Sequence, residues 1–126
     1  MMSSDRVPTA RAWPEELRLS EAGTRLTVRF DDGTSHTLSA EFLRVESPSA
    51  EVKGHGPGQA VTVAGKRGVR ITGIEPVGNY AVRLVFSDGH STGLYAWDYI
   101  DRLGRERDGL WAAYLDKLAR EGRTRD

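Results

Sequence analysis

The chain is predicted to be an α+β protein of two related halves, each a β-hairpin followed by a helix. The sheet is mostly antiparallel and a C-terminal helix completes the fold. Two observations carry this. The segment Phe30 to Ala40 (FDDGTSHTLSA) aligns without gaps with Phe86 to Ala96 (FSDGHSTGLYA). Both copies follow residues that alternate apolar and polar at period two, as half-buried strands do. Strands joined by tight hairpins rather than long crossovers pair antiparallel.

The elements follow in order. Residues 1–14 are polar with Pro8 and Pro14, and are expected to form a flexible tail. Leu17-Arg18-Leu19 and Leu26 to Phe30 alternate as strands. Asp32-Gly33 supplies the positive φ angles of a tight hairpin turn. Ala40 to Arg44 is expected to be a short helix capped by Ser39. Residues 46–68 hold five glycines and two prolines, which oppose regular structure, although Val61-Thr62-Val63 has brief strand character. Connections this long are usually functional or disordered.

Strands return over 69–74 and 81–86, with a turn at Pro76-Val77-Gly78-Asn79. The second hairpin turns at Asp88-Gly89 and leads into a helix from Tyr95, which Gly104 is expected to end. Asp108 is a candidate cap for a last helix whose apolar positions Leu110, Trp111, Tyr114, Leu115 and Leu118 keep helical spacing. Residues 15–121 form the expected single domain, and 122–126 a frayed tail.

Bulk composition excludes more than it assigns. Acids and bases balance at 18 each in 126 residues, so no global field attracts nucleic acid or an anionic membrane. Fifteen of the bases are Arg, interspersed among acids. With no cysteine there are no disulfides, thiolate nucleophiles or thiolate metal sites. No apolar run has the length of a signal peptide or a membrane span, so a cytoplasmic location is the default expectation.

Catalytic patterns are missing. Gly54-His55-Gly56-Pro57-Gly58 lacks the spacing of a phosphate loop, and Arg67 stands after Gly65-Lys66 where Ser or Thr would meet magnesium. None of His36, His55 and His90 has a carboxylate two residues on, as a two-histidine, one-carboxylate iron site often begins. No Gly-x-Ser-x-Gly elbow is present. Asp88-Gly89-His90 puts an acid near a histidine, which any hairpin tip can do. Tyr80, Tyr95, Trp97 and Tyr99 read first as core aromatics, with a contact patch beside His90 as the alternative.

Phe42 to Val52 (FLRVESPSAEV), Val77 to Val82 (VGNYAV), Phe86 to His90 (FSDGH) and Gly93 to Trp97 (GLYAW) together resemble the gamma-butyrobetaine hydroxylase-like N-terminal domain family. The resemblance covers about Leu17 to Leu103. Members stand alone in bacteria, precede the catalytic domain of gamma-butyrobetaine and trimethyllysine dioxygenases, or follow the ATPase of some iron–sulfur scaffold proteins. In the dioxygenases the domain carries zinc on three Cys and one His. By resemblance these positions are Ser47, Ser49, Val52 and His90, so three ligands are lost and Ser and Val do not replace thiolates.

The resemblance therefore implies a non-catalytic accessory or protein-interaction domain with no cofactor. Its protein partner would belong to iron–sulfur cluster maturation or be an iron-dependent oxygenase. Ser47, Ser49, His55, His90 and Trp97 are the candidate partner- or ligand-binding residues, and the 46–58 loop with the second hairpin tip the expected surface. The alternative is a metal- or small-ligand-binding domain in which His55 and His90, with Asp88 or Glu51, hold a divalent ion such as iron or zinc.

Overall fold

The computed structural model describes residues 13–48 and 62–126. Strands β1 (Pro14–Ser20), β2 (Arg25–Phe30) and β3 (Ser35–Ser39) form one antiparallel sheet, followed by helix α1 (Ala40–Val45). Strands β4 (Ile71–Val77), β5 (Ala81–Phe86) and β6 (Leu94–Ala96) form a second, followed by α2 (Trp97–Arg105) and α3 (Arg107–Arg120). Among the described residues this is the expected α+β fold of two hairpin-plus-helix halves.

The repeat extends to individual hydrogen bonds. In each hairpin the turn glycine donates to a phenylalanine carbonyl, Gly33 to Phe30 and Gly89 to Phe86, both at 3.0 Å. In each, the turn aspartate accepts from the backbone two residues on, Asp32 from Thr34 at 2.9 Å and Asp88 from His90 at 3.0 Å. Both first strands shift register near their start, between Pro14 and Glu16 and between Ile71 and Gly73. Only the glycine of each turn has positive φ, 91° at Gly33 and 92° at Gly89. The turn is thus the three-residue kind, a type I turn closed by a left-handed residue.

The inner faces share one core. Leu26, Val28, Phe30, Leu38, Phe42 and Leu43 of the first half pack with Ile71, Val82, Leu84, Phe86, Tyr95, Ile100 and Leu103 of the second. Ser39 caps α1 as expected, its hydroxyl accepting from Phe42 N–H at 3.0 Å. A smaller cluster joins Val45 of α1 to Tyr114 and Leu118 of α3.

Several expectations are corrected. The helix starts at Trp97 rather than Tyr95, because Leu94–Ala96 is held by β5. Gly104 lies inside α2 instead of ending it; a Cβ there would run into the His36 ring. Asp108 sits in the first turn of α3, and Glu106 serves as the end of α2 and the start of α3. Leu115 is exposed. Thr62 and Val63 are irregular, anchored by Glu121 and Tyr114 through side-chain bonds rather than by a ladder; Val61 lies outside the described residues. The strand predicted over 69–74 begins at Ile71 and runs to Val77, so the turn starts at Gly78. Pro14 is already in β1, and the Trp13 carbonyl accepts from Asp31 N–H. The end of the chain does not fray: Gly65 and Arg67 donate to the carbonyls of Thr124 and Arg125.

Candidate contact site at the second hairpin

The two hairpins agree at their tips and then diverge by one residue. Phe30 N–H bonds the Thr34 carbonyl at 2.8 Å, and Phe86 N–H the His90 carbonyl at 2.9 Å. Below the tip, Leu26 pairs with Leu38, whereas Val82 pairs with Tyr95 and Arg83 with Leu94. Ser91-Thr92-Gly93 therefore contains one residue more than its counterpart, a bulge. A one-residue slip sends every later side chain to the opposite face. Leu94, which the sequence alignment sets against the buried Leu38, is 42% exposed, and Tyr95 fills the core position.

The bulge also makes a niche. Gly93 is buried, and a Cβ on it would meet Ser47 Oγ and the Pro48 ring. The segment leaving α1 thus lies directly on the hairpin backbone. Its Ser47 hydroxyl is 2.9 Å from His90 Nε2, both residues buried. Tyr95 and Tyr99 close the other side, donating their hydroxyls to the Leu43 and Glu46 carbonyls. These carbonyls belong to the end of α1, where a short helix has no internal partner for them. Burial, the main cause, raises both phenols above their ordinary pKa, Tyr99 to about 12.

The tip itself is a charge clasp. Asp88 Oδ2 accepts from Arg44 of α1 at 2.8 Å and from Lys66 at 2.6 Å. Burial works against its ionisation. Hydrogen bonds from Lys66, the His90 backbone and Arg44 outweigh it and bring the pKa down to about 2. Arg44 Nη1 is buried with no hydrogen-bond partner among the described residues.

Of the candidate residues, Ser47 and His90 are thus brought together, but as a buried latch beneath the surface. Trp97 is at the opposite end of β5, its indole N–H donating to the Asn79 carbonyl at 2.9 Å. Tyr80 is exposed beside that turn. Ser49 and His55 lie outside the described residues, as do Val52 and Glu51. His36 is held in the other half by Asp101 at 2.9 Å. Among the described residues no three His, Asp or Glu side chains gather as a metal site would require.

Sequence reading missed the outward face of the second sheet. Gly73, Val77, Val85, Leu94 and Ala96 share that face with the Arg83–Glu75 ion pair, by strand alternation and register. The corresponding face of the first sheet is Glu16, Arg18, Thr27, Arg29 and Thr37, laced by ion pairs and a Thr27–Thr37 hydrogen bond. Strand alternation in the sequence carried this contrast up to the bulge, which then inverted β6.

The model of the family described as gamma-butyrobetaine hydroxylase-like, N-terminal matches residues 17–101. The chain belongs to this family. Two proteins solved by NMR are similar to this family member. One is 48% identical over 91% of this chain and 90% of that one, with a TM-score of 0.79. The other is 43% identical over 97% and 91%, with a TM-score of 0.80. A crystal structure of a protein of unknown function from Acidithiobacillus ferrooxidans, placed in the DUF971 family, is 40% identical over 72% of this chain and 91% of that one, with a TM-score of 0.60. No significant match was found among curated proteins. Among the described residues no helix is long and apolar enough to cross a membrane.

Proposed function

We propose that this domain is a non-catalytic interaction module whose second half is its contact surface. The observation that supports this most is the asymmetry of the two sheets. The outward positions of the first sheet are polar or charged, with Leu19 of its edge strand partly exposed on the other face, whereas the second presents a mixed apolar strip around Leu94. Apolar groups framed by a few ionic ones are the composition of a protein contact. The His90–Ser47 latch and the Asp88 clasp fix the adjoining hairpin tip, so little ordering remains for binding to impose.

The class of partner rests on family resemblance alone. It is a protein of iron–sulfur cluster maturation or an iron-dependent oxygenase, met in the cytoplasm. The test is affinity capture from native extract with three baits: the wild-type chain, Leu94→Asp and Thr37→Asp. A protein retained by the wild type and Thr37→Asp but lost with Leu94→Asp supports the reading. A captured set indifferent to Leu94→Asp refutes the surface.

A further inference from the structure

Away from the hairpin tip, the segment that follows α3 folds back onto residues 65–67 and α1. We propose that the groove formed by residues 65–67, α1 and α3 is a binding site for an extended peptide carrying arginine followed by an acidic residue. Its present occupant is the segment Arg123–Asp126.

The contacts are those of peptide recognition rather than of core packing. Gly65 and Arg67 each donate a backbone N–H to the tail, to the Thr124 carbonyl at 3.0 Å and the Arg125 carbonyl at 2.9 Å. The acceptors are successive carbonyls, so the segment is clasped by backbone donors without forming a β-ladder. Side chains then read charge. Arg125 Nε and Nη2 take both oxygens of Glu41, at 2.8 and 2.7 Å, a bidentate fork. The Glu41 side chain is only 7% exposed, so it is a built acceptor. The guanidinium also lies over the Trp111 ring, 5.2 Å from its centroid. The next residue, Asp126, pairs with Arg67. The groove therefore distinguishes a cation from an anion at successive positions.

Two features mark the occupant as exchangeable. Arg123, Thr124 and Asp126 are exposed and the tail buries no apolar side chain, so polar and ionic contacts rather than hydrophobic burial hold it. It departs from α3 through Gly122, whose φ of +67° ends the helix and offers a pivot. The groove also continues beyond the tail. A cavity of about 160 Å³ opens beside the same two anchors, Glu41 and Arg67, and is walled further by Thr24, Arg25 and Ser39. Glu21, which also lines it, holds a positive φ of 52°. Non-glycine residues in that region cost energy and concentrate at binding sites.

The test uses the full chain with R125A/D126A, which frees both anchors, and a synthetic peptide of the natural sequence Gly122–Asp126. Titration followed by amide NMR should give saturable shifts at Gly65, Arg67 and the Trp111 indole. A peptide with Arg125→Ala should bind at least tenfold more weakly, as should the natural peptide when the receptor also carries E41Q. No shift at Gly65 and Arg67, or equal binding of both peptides, overturns the proposal. If the double variant does not fold, hydrogen exchange on the wild-type chain decides. The Gly65 and Arg67 amides should exchange at least a hundredfold faster than those of Leu26 and Leu84, because the tail leaves without global unfolding. Exchange as slow as the core's would show that the tail never vacates the groove, and would equally overturn it.

Discussion

The two halves share a plan and differ in how tightly each hairpin receives the helix end from the other half. In the first, His36 of β3 is the large partner and Gly104 of α2 the small one, with the imidazole on Asp101. In the second, the sizes are reversed: Gly93 of the hairpin is small and Ser47 beyond α1 fills the space, with its hydroxyl on His90. The reversal depends on one additional residue in the second hairpin. That residue turns Leu94 outward, admits Ser47 and Pro48 against the backbone, and leaves a mixed apolar face where the first half has a polar one. A duplicated frame can thus keep its core and still specialise one half.

The largest effects should come from the shifted register. Tyr95→Ala should cost about 4 kcal/mol and Leu38→Ala about 3, as large-to-small changes in a core do. Leu94→Ala should cost below about 0.5, since it is a surface change. Chemical denaturation of the three variants measures this, and equal costs for Leu38→Ala and Leu94→Ala would restore the ungapped correspondence.

Next, Gly104→Ala should cost about 2–3 kcal/mol through overpacking against His36. Adding His36→Ala should recover more than half of that in a double-mutant cycle. Independent, additive losses would mean the two do not share space.

The aspartates should then separate the tips. Asp88→Asn should cost about 2 kcal/mol at pH 7, because Arg44 and Lys66 lose a charged acceptor. Asp32→Asn, whose carboxylate serves only its own exposed turn, should cost below about 0.5. The pH dependence has a definite sign. The Asp88 carboxyl titrates at about 2 when folded and near its ordinary 3.8 when unfolded. Its contribution is present above pH about 4 and is lost as pH falls towards 2, so wild type and Asp88→Asn should converge there. Thermal melts across pH 2–7 follow the gap, and a constant difference would contradict the clasp.

Ser47→Ala should cost about 1 kcal/mol, less than Asp88→Asn, as its hydroxyl leaves the buried His90 imidazole. The imidazole resonances of His90 should shift while those of His36 stay in place. Movement of both would show that the latch is not local.

Much of this frame was legible in sequence because alternation and the Asp-Gly turns act locally. Ser39, three residues before the N–H it caps, was visible for the same reason. What escaped reading depended on distant partners. Gly104 looks like a helix stop until His36 is seen to need its missing side chain. Arg125 looks like fraying tail until Glu41 and Trp111 converge on it. The bulge escaped because an ungapped match through Leu94-Tyr95-Ala96 keeps similar residue types in line while the pairing slips beneath them. Ser47 and His90 were singled out through the family's zinc positions. The structure pairs the two, with hydroxyl and imidazole in direct contact.

On the proposed function the outward face of the second sheet is a contact surface and that of the first is not, and photo-crosslinking distinguishes the two. Thr37 and Leu94 occupy equivalent places, paired with Thr27 and Arg83 on the outward faces of the two sheets. A photoreactive residue placed at each in turn, in cells, should yield a discrete protein adduct from position 94 and none from position 37. Adducts of equal yield from both, or from position 37 alone, would contradict the account.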